Sequence, residues 1–382
     1  MKTIIIGAGP ASLMAATQAI KKGDEVIVFE KMKTAGRKFL VAGDGGFNLS
    51  HVGSIEDLIS YYSHSQMGAI IKRFTNDDLV AWLKEIGIDT YVGSSGKIFP
   101  GKHIKPAMVL NSWLNYLKSQ GVHFYYNASL ADFDNNSVTI KSDSVLHQHS
   151  FDRLILGLGA ASWPKTGSDA SWLQVFHSKD ITVKPFLATN AGLNVKFPFD
   201  FLDKFQGSVF KNVIVSHCGI SKKGEVIITN YGLEGAPIYF LNPSIRKETS
   251  SPIFIDFKPM FSENEIILML SKSTNTTEAL KKMKLPLPFI YWCKHYLSKS
   301  QFTDDAVLVD LIKRFPVYIE SFRPIEEAIS CAGGVSWDEL NENLQLKKFP
   351  NVSIVGEMID WEAPTGGYLL QGAFSTGFTA GS

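Results

Sequence analysis

The sequence predicts an α/β protein in which both ends of the chain form one parallel-sheet domain and the middle is an insertion. Residues 3–6 are a continuous apolar run that ends in glycines, as a buried parallel strand does. Residues 352–355 form a second such run, which ends at Gly356. Between about residues 188 and 340 the chain instead shows short β patterns and one long helical stretch. The α/β character is therefore interrupted and resumes near the C-terminus.

The N-terminal part begins with a strand–helix–strand unit. A helical pattern runs from Ala11 to about Lys22, Gly23 ends it as a C′ glycine would, and residues 25–29 form the next strand. Such a unit is expected to have a right-handed crossover. Residues 33–54 are rich in Gly, Lys, Asn and Ser and predict a long loop. The other elements predicted before residue 188 are helices at 55–72, 76–87 and 105–120 and strands at 122–126, 129–133, 137–141 and 153–158.

The middle of the chain has a different pattern. Strands are predicted at 209–216, 225–229, 236–241 and 253–257. Residues 262–315 are helical in pattern, and residues 324–340 return to mixed β character. A final helix is predicted from about Gly367. These changes of character set the predicted domain boundaries.

Composition excludes several classes of protein. Lys plus Arg is 38 and Asp plus Glu is 37, so the net charge is +1 and no attraction to nucleic acid or to a membrane surface is expected. No stretch reaches the roughly 18 apolar residues that span a bilayer, and the apolar run after Met1 is too short for a signal peptide. A cytoplasmic location is therefore predicted.

The three cysteines do not predict a redox pair or a metal centre. Cys218, Cys293 and Cys331 lie far apart and form no C-x-x-C motif. Three reduced, buried thiols are expected in a cytosolic protein, and no metal site is predicted.

A dinucleotide-binding fingerprint follows the first strand. Residues 7–12 read Gly-Ala-Gly-Pro-Ala-Ser and open the first helix. Gly7 permits a tight turn, and Gly9 lets the backbone approach a pyrophosphate, which the N–H groups and the positive dipole end of the helix N-terminus attract. Ser12 takes the third position, where close contact between helix and strand is needed. Glu30 ends the second strand and can accept hydrogen bonds from ribose hydroxyls, while its charge would repel the 2′-phosphate of NADP.

The segment after Glu30 distinguishes FAD from NAD. NAD-binding Rossmann domains continue directly into further βα units, whereas a long glycine-rich loop at this position resembles FAD-binding domains of the glutathione-reductase and succinate-dehydrogenase class. Arg37 and Lys38 in this loop can neutralise phosphate charge. The predicted cofactor is non-covalent FAD, and the residues expected to bind it in this part of the chain are Gly7, Gly9, Pro10, Ala11, Ser12, Glu30, Lys31, Gly36, Arg37, Lys38, Gly46 and Asn48.

A second half-site is predicted near the C-terminus. In FAD enzymes of this class a late strand ends in Gly-Asp, whose acid binds the ribityl chain, and Gly356-Glu357 is similar to that element. Thr365, Gly366 and Gly367 then begin a helix with Tyr368 in its first turn. The N–H groups of that helix would face the pyrimidine edge of the flavin and stabilise its reduced form.

Motifs along nearly the whole chain carry a family resemblance. They are Gly36–Leu40, Gly45–His51, Lys97–Pro100, Thr229–Gly235, Ala332–Val335 and Gly356–Gln371. In this order they resemble the bacterial BaiN-like, aminoacetone oxidase family of FAD-binding flavoproteins. The segment 157–167 is similar to a subgroup with Gly-Gly-Ala-Ser-Trp-Pro, although Leu158 stands where a small residue is common.

The resemblance implies a division of the chain and two further contacts. An FAD-binding domain would comprise residues 1–188 and 340–382, an inserted β subdomain residues 189–260 and 317–339, and a small helical subdomain residues 261–316. Leu130 would contact adenine through its backbone, and Gly159 would belong to the FAD site. The family's named members are FAD-dependent, and in part NAD(P)-dependent, oxidoreductases.

The predicted function is that of an FAD-dependent oxidoreductase acting on a small organic substrate. Because the flavin carries out hydride transfer itself, a catalytic acid or base is not obligatory; the candidates are His51, Tyr231 and Trp361. No second G-x-G-x-x-G follows a strand in residues 150–260, so NAD(P)H is expected to bind transiently if it reduces the flavin. Two alternatives stay open: an FAD-dependent RNA-modifying protein and a flavin-bound sensor or scaffold without turnover. The sequence does not indicate the oligomeric state.

Overall fold

A computed structural model describes residues 1–41, 47–273 and 275–382. Contacts between residues divide the chain into two compact units. Unit 1 comprises Met1–Leu187 and Ile329–Ser382, and unit 2 comprises Ala188–Ala328. Both ends of the chain therefore belong to one unit, as the sequence analysis expects.

Unit 1 contains a five-stranded parallel sheet. Its strands follow the order Val352–Ile354, Arg153–Leu156, Lys2–Ile6, Glu25–Glu30 and His123–Tyr126. Ile4, Ile5 and Ile6 are buried, which explains why the first strand is apolar on both faces. The carboxyl ends of parallel strands meet at one edge of the sheet, and this edge positions the candidate site.

Smaller strands and several helices complete unit 1. Three short strands pair around Lys97–Pro100, three form a meander over residues 128–150, and Val183–Thr189 pairs with Ser330–Val335. Those strands are Ser50–His51, Thr90–Val92, Lys97–Pro100, Ala128–Phe133, Ser137–Ser142, Val145–Ser150, Val183–Thr189 and Ser330–Val335. The α-helices are Pro10–Lys21, Arg37–Val41, Ile55–Ser60, Ser65–Arg73, Asn76–Glu85, Pro106–Ser119, Leu173–His177 and Tyr368–Gly381.

The first and last helices of the chain pack against each other through glycines. A Cβ atom built on Gly377 would lie 2.1 Å from the carbonyl oxygen of Ala11, and one on Gly381 would lie 2.5 Å from that of Ala15. Any side chain at these positions would separate the helices. The contact fixes the C-terminal helix Tyr368–Gly381 beside the nucleotide-binding helix Pro10–Lys21.

Unit 2 is built on a seven-stranded antiparallel sheet. The strand order is Phe315–Val317, Ile253–Asp256, Val209–His217, Ile220–Ile228, Gly232–Glu234, Leu193–Asn194 and Ser321–Phe322. Its α-helices are Phe201–Phe205, Ala236–Lys247, Glu263–Leu270, Thr276–Lys282, Leu287–Tyr296, Lys299–Phe302 and Asp305–Lys313. One hydrophobic core joins the sheet to residues 261–316, the segment assigned to a helical subdomain.

Two elements differ from the sequence-based prediction. Residues 236–241 are not a strand but the start of the helix Ala236–Lys247. The run Ile-Tyr-Phe-Leu has high β propensity, but Gly235 and a proline in the first helical turn are helix-start signals that the prediction overlooked. The helix predicted over 55–72 is two helices, Ile55–Ser60 and Ser65–Arg73, because two hydrogen bonds hold the segment between them: the Ser63 N–H donates to the carbonyl of Glu362, and the Glu362 N–H donates to the hydroxyl of Ser63.

Residues 329–339 lie in unit 1, whereas the sequence analysis placed them in the inserted β subdomain. The physical reason is strand pairing: Ser330–Val335 pairs with Val183–Thr189, and Val335 bridges Ile359. The thiol prediction also needs correction, because Cys218 is exposed while Cys293 and Cys331 are buried. In the described part of the chain, no helix is long and apolar enough to cross a membrane. The cytoplasmic location stays a prediction.

Candidate functional site

The glycine turn after the first strand contacts the ends of both neighbouring strands of the sheet. The Gly7 N–H donates to the carbonyl of Phe29 at 2.7 Å, which joins the turn to the second strand. Gly7 has φ +95°, and a Cβ atom there would lie 2.3 Å from the carbonyl oxygen of Gly157. Only glycine fits this conformation and this contact.

Gly9 differs from Gly7 in its surroundings. It is the N-cap of the helix Pro10–Lys21, with φ −80°, and apart from its chain neighbours no atom of the described residues lies within 4 Å of the position its Cβ would occupy. Pro10 takes the first helical position, where its missing N–H costs nothing. Ala11 and Ser12 are buried, and Ser12 faces Gly157 across the sheet edge. The turn therefore leaves free space beside its second glycine and the helix N-terminus.

Glu30, at the end of the second strand, accepts hydrogen bonds from the backbone of the turn. Its carboxylate accepts the Ala8 N–H at 2.7 Å and the Met32 N–H at 2.8 Å, and the residue is only 9% exposed. Burial raises the pKa of this carboxyl, and the two N–H bonds oppose that rise. A carboxylate has about four acceptor sites, so Glu30 can also accept hydroxyl donors.

The loop after Glu30 returns to the turn. The Gly36 N–H donates to the carbonyl of Ala8 at 2.9 Å, and the helix Arg37–Val41 begins directly after it. The Nε of Arg37 is buried without a hydrogen-bond partner in the described structure. A guanidinium N–H in that state is costly unless a ligand accepts it. Gly46, predicted to bind FAD, lies outside the described residues.

Two lysines predicted to bind FAD form ion pairs with carboxylates. Lys31 Nζ lies 2.5 Å from Asp169 and 3.4 Å from the hydroxyl of Ser171. Lys38 Nζ donates to Glu357 at 2.6 Å and to Ser162 at 2.7 Å. The structure therefore brings Lys38, predicted to neutralise the phosphates, and Glu357, predicted to bind the ribityl chain, into one ion pair.

The segment from Gly356 to Trp361 completes the edge of the sheet. The Gly356 N–H donates to the hydroxyl of Thr376 at 3.0 Å, and its carbonyl accepts the indole N–H of Trp361 at 2.9 Å. Trp361 is 2% exposed and packs near Tyr62. These contacts describe Trp361 as a core residue that fixes the backbone at Gly356.

The last helix begins beside a cluster of aromatic rings. A Cβ atom on Gly367, which caps this helix with φ +104°, would lie 2.5 Å from the backbone of Ser50, whereas one on Gly366 would approach nothing closer than 3.5 Å. Tyr368 stacks on His51 at 5.4 Å and lies 4.5 Å from the Tyr61 ring. Burial and the neighbouring Tyr61 raise the pKa of Tyr368, so its hydroxyl stays protonated.

His51 is fixed by two carbonyl oxygens. Its Nδ1 lies 2.6 Å from the oxygen of Val52 and its Nε2 lies 2.9 Å from that of Ser95. This arrangement is typical of a histidine that orders a loop.

Other predicted residues lie at the margins of this cluster or outside it. Gly159 follows the strand Arg153–Leu156, and its carbonyl accepts the indole N–H of Trp172. Leu130 lies on the strand Ala128–Phe133, which contacts the strand Glu25–Glu30. Asn48 and Thr365 both take part in interactions of the folded chain.

Tyr231 lies in unit 2 and belongs to a separate polar cluster. Its hydroxyl donates to Glu234, and the guanidinium of Arg323 lies 4.2 Å from its ring centroid. Burial and the hydrogen bond to Glu234 raise the pKa of Tyr231. Arg323 itself forms a two-point ion pair with Glu327.

Sequence reasoning missed Tyr61, Tyr62, Ser162 and Cys331 as neighbours of the predicted site residues. The Tyr62 hydroxyl donates to the carbonyl of Tyr368 across 306 residues of sequence. Ser162 and Cys331 do lie in motifs that carry the family resemblance or adjoin one. Tyr61 and Tyr62 carry no such signal, because they lie inside a segment predicted as an uninterrupted helix. Within residues 1–41, 47–273 and 275–382, no group of three His, Cys, Asp or Glu side chains could hold a metal ion.

Unit 1 therefore has the parts of a dinucleotide site. The parallel strand order and the turn at Gly7–Gly9 define a Rossmann-type unit that can bind a dinucleotide cofactor. The free space at Gly9, the buried carboxylate of Glu30 and the unpartnered Nε of Arg37 fit the pyrophosphate and ribose of that cofactor.

Comparison with known proteins gives the family. Residues 1–382 match the HI0933-like protein Rossmann domain, and the chain belongs to this family. A 3-dehydro-bile acid delta(4,6)-reductase from Clostridium scindens is 25% identical over 99% of this chain and 97% of its own length. A ribosomal RNA dihydrouridine synthase from Haemophilus influenzae is 24% identical over 99% of this chain and 96% of its own length.

A solved structure shares the fold. The open conformation of a flavocytochrome c3 fumarate reductase covers 100% of this chain and 77% of its own, with a TM-score of 0.55 and 13% identity. The predicted family, α/β fold class and FAD-dependent oxidoreductase class are thus confirmed. The individual FAD-binding residues stay predictions.

Proposed function

We propose that this protein is an FAD-dependent reductase that adds hydrogen to a carbon–carbon double bond conjugated with a carbonyl group. The observation that carries the cofactor half of the proposal is the pairing of free space at Gly9 with the buried, unpartnered Nε of Arg37. The reaction half is supported by two full-length relatives, a 3-dehydro-bile acid delta(4,6)-reductase and a dihydrouridine synthase. Both names describe saturation of such a bond, although the two substrates differ.

We assign the residues of unit 1 to successive parts of FAD. Glu30 would bind the adenosine ribose, Gly9 and the N-terminus of the helix Pro10–Lys21 the pyrophosphate, and Glu357 the ribityl chain. The N–H groups at Gly366 and Gly367 would face the pyrimidine edge. Bound FAD would supply the hydride, and NAD(P)H is the reductant we propose.

The chain's own contribution to the chemistry would be positioning and water exclusion. Tyr368 keeps its phenolic proton, so it can donate a hydrogen bond but cannot act as a base near neutral pH. Two backbone carbonyls hold the His51 ring, and Tyr368 stacks on that ring. We therefore expect the aromatic cluster His51, Tyr61 and Tyr368 to orient a substrate or the flavin edge.

The test is anaerobic spectroscopy of the purified protein. A flavin spectrum should bleach on addition of NADH or NADPH and recover when an α,β-unsaturated ketone such as 2-cyclohexen-1-one or a 3-oxo-Δ4 steroid is added. If the corresponding saturated ketone also restored the flavin spectrum, the carbon–carbon double bond would not be the electron acceptor. Absence of flavin, with none taken up from added FAD, would contradict the whole proposal.

A second candidate substrate is a uracil base within RNA, and a feature of unit 2 favours it. Residues 272–299 carry six lysines and one acidic residue, Glu278. All six lysines are exposed and form no ion pair within the described structure: Lys272, Lys281, Lys282, Lys284, Lys294 and Lys299. Fluorescence anisotropy with a labelled single-stranded RNA would detect binding that weakens steeply with salt. Without such binding, the prediction of a small-molecule substrate stands.

A further inference from the structure

Lys38 joins three distant segments of unit 1. Its ammonium contacts Glu357, 319 residues away, at 2.6 Å and the buried hydroxyl of Ser162 at 2.7 Å. The Lys38 and Glu357 side chains are 26% and 20% exposed, so the ion pair is shielded from water on most sides. A pair in this setting fixes the position of both groups more firmly than a surface pair does.

The preceding residue, Arg37, has opposite properties. Its Nε is buried and lacks a partner in the described structure, whereas Lys38 directs its charge to a carboxylate. Adjacent residues on a helix point in different directions, so the two cations do not serve the same group. The sequence analysis expected both Arg37 and Lys38 to neutralise phosphate charge. Their different surroundings indicate two separate roles.

Both charges of the Lys38–Glu357 pair act on the pKa of the nearby Cys331 thiol. Burial raises the pKa of its thiol first, the negative charge of Glu357 raises it further, and the positive charge of Lys38 lowers it. Lys38 thus offsets the charge of Glu357 locally. Without Lys38, the partly buried Glu357 carboxylate would lose its counter-charge and the contact that holds it in position.

We propose that Lys38 is a positioning residue that holds the Glu357 carboxylate in place for the ribityl chain of FAD, while Arg37 is the cation that binds the phosphates. This inference rests on the proposed function, because it assumes that unit 1 binds FAD. Lys38 then acts on the cofactor only through Glu357. Arg37 acts on it directly.

Two ligands separate these roles, since ADP contains the phosphates of FAD but lacks the ribityl chain and the flavin. Dissociation constants for both would be measured on apoprotein, by flavin fluorescence for FAD and by calorimetry for ADP. Lys38→Met should weaken FAD binding about tenfold and leave ADP binding unchanged. Arg37→Met should weaken both ligands by about tenfold.

A double-mutant cycle tests the route through Glu357. In a Glu357→Gln background, Lys38→Met should weaken FAD binding less than twofold further, because the group it positions has already lost its charge. Lys38→Arg keeps the positive charge, so this variant should retain most of the wild-type affinity for FAD. Lys179→Met is the matched control, since it breaks another lysine–carboxylate pair in unit 1, with Asp132 at 2.7 Å, and should leave FAD binding unchanged.

The outcomes are distinguishable from failure of the proposed function. If the wild-type protein binds neither FAD nor ADP, the proposed function fails and this inference fails with it. If the wild type binds both and Lys38→Met weakens ADP as much as FAD, Lys38 is a phosphate ligand and this inference alone is overturned. Additive losses in the double-mutant cycle would overturn it as well, and thermal unfolding of each variant identifies any loss that reflects misfolding.

Discussion

The two halves of the candidate site differ in what holds them together. The N-terminal half, the turn at residues 7–9 with Glu30, is fixed mainly by backbone hydrogen bonds within the first 36 residues. The C-terminal half, residues 356–368, is fixed by side chains from far along the chain, such as Lys38 on Glu357 and Tyr62 on the carbonyl of Tyr368. One half is a local motif, and the other is assembled only by the complete fold of unit 1.

This difference predicts different responses to substitution. Changes in the N-terminal half should separate cleanly into effects on folding and effects on cofactor binding, because a side chain on Gly7 would clash with the backbone of Gly157, whereas one on Gly9 would meet no described atom within 4 Å. Changes in the C-terminal half should alter packing first, since its residues are buried among one another.

Gly7→Ala should destabilise the fold most. The new methyl group would lie 2.3 Å from the carbonyl oxygen of Gly157, at φ +95°, and the clash and strain together should lower the free energy of unfolding by about 3 kcal/mol or more. Urea denaturation of the apoprotein measures this. Gly23→Ala is the matched control, because Gly23 also has a positive φ of +83° but no described atom lies within 4 Å of the position of its Cβ. This variant should lose only about 1 kcal/mol of unfolding free energy. Equal losses in both variants would mean that the contact with Gly157 is unimportant.

Gly9→Ala should separate binding from folding. Its Cβ would meet no atom of residues 1–41, 47–273 and 275–382 within 4 Å, its chain neighbours aside, at an ordinary φ of −80°, so the free energy of unfolding of the apoprotein should change by less than about 1 kcal/mol. FAD binding should nevertheless weaken about 100-fold, because the methyl group would occupy the space proposed for the pyrophosphate. Fluorescence titration with FAD checks this, and unchanged affinity would place the cofactor elsewhere.

Glu30→Gln should change the pH dependence of stability. Burial raises the pKa of Glu30 in the folded state, so its stabilising contribution is complete below the unfolded pKa of about 4.5 and declines as pH rises through the folded pKa. The wild type should therefore be favoured over the variant most at pH 4, with a gap of about 1–3 kcal/mol that narrows toward pH 7. Denaturant titrations at several pH values measure this gap, and a gap that widens with pH would contradict the assignment.

The sequence predicts the local half of the site better than the assembled half. Gly7, Gly9 and Glu30 are identified by their spacing, because a strand, a turn and a helix within 30 residues bring them together without help from elsewhere. The partner of Lys38 is not predictable in this way. A basic residue beside a glycine-rich loop suggests a phosphate, and only the fold reveals that Glu357 lies 2.6 Å away.

The error at residues 236–241 has a different, local reason. β-branched and aromatic residues favour strands on average, but the proline in the first turn and packing in the core of unit 2 make this segment helical. The strand Ser330–Val335 shows the converse, since its pattern is recognised while its partner, Val183–Thr189, lies almost 150 residues earlier. Element type follows from local patterns, but pairing over such distances does not.

Trp361→Phe should have the smallest effect and bears on the C-terminal half. The substitution removes the indole N–H that the Gly356 carbonyl accepts, although the Ile359 N–H still reaches that carbonyl, so the free energy of unfolding should fall by about 1–2 kcal/mol. Trp337→Phe is the matched control, because it removes an indole bond to the carbonyl of Asp360. If Trp361 only supports the backbone, the flavin spectrum of both variants should match the wild type. A spectral shift in Trp361→Phe alone would instead place its ring against the flavin and make it a catalytic candidate again.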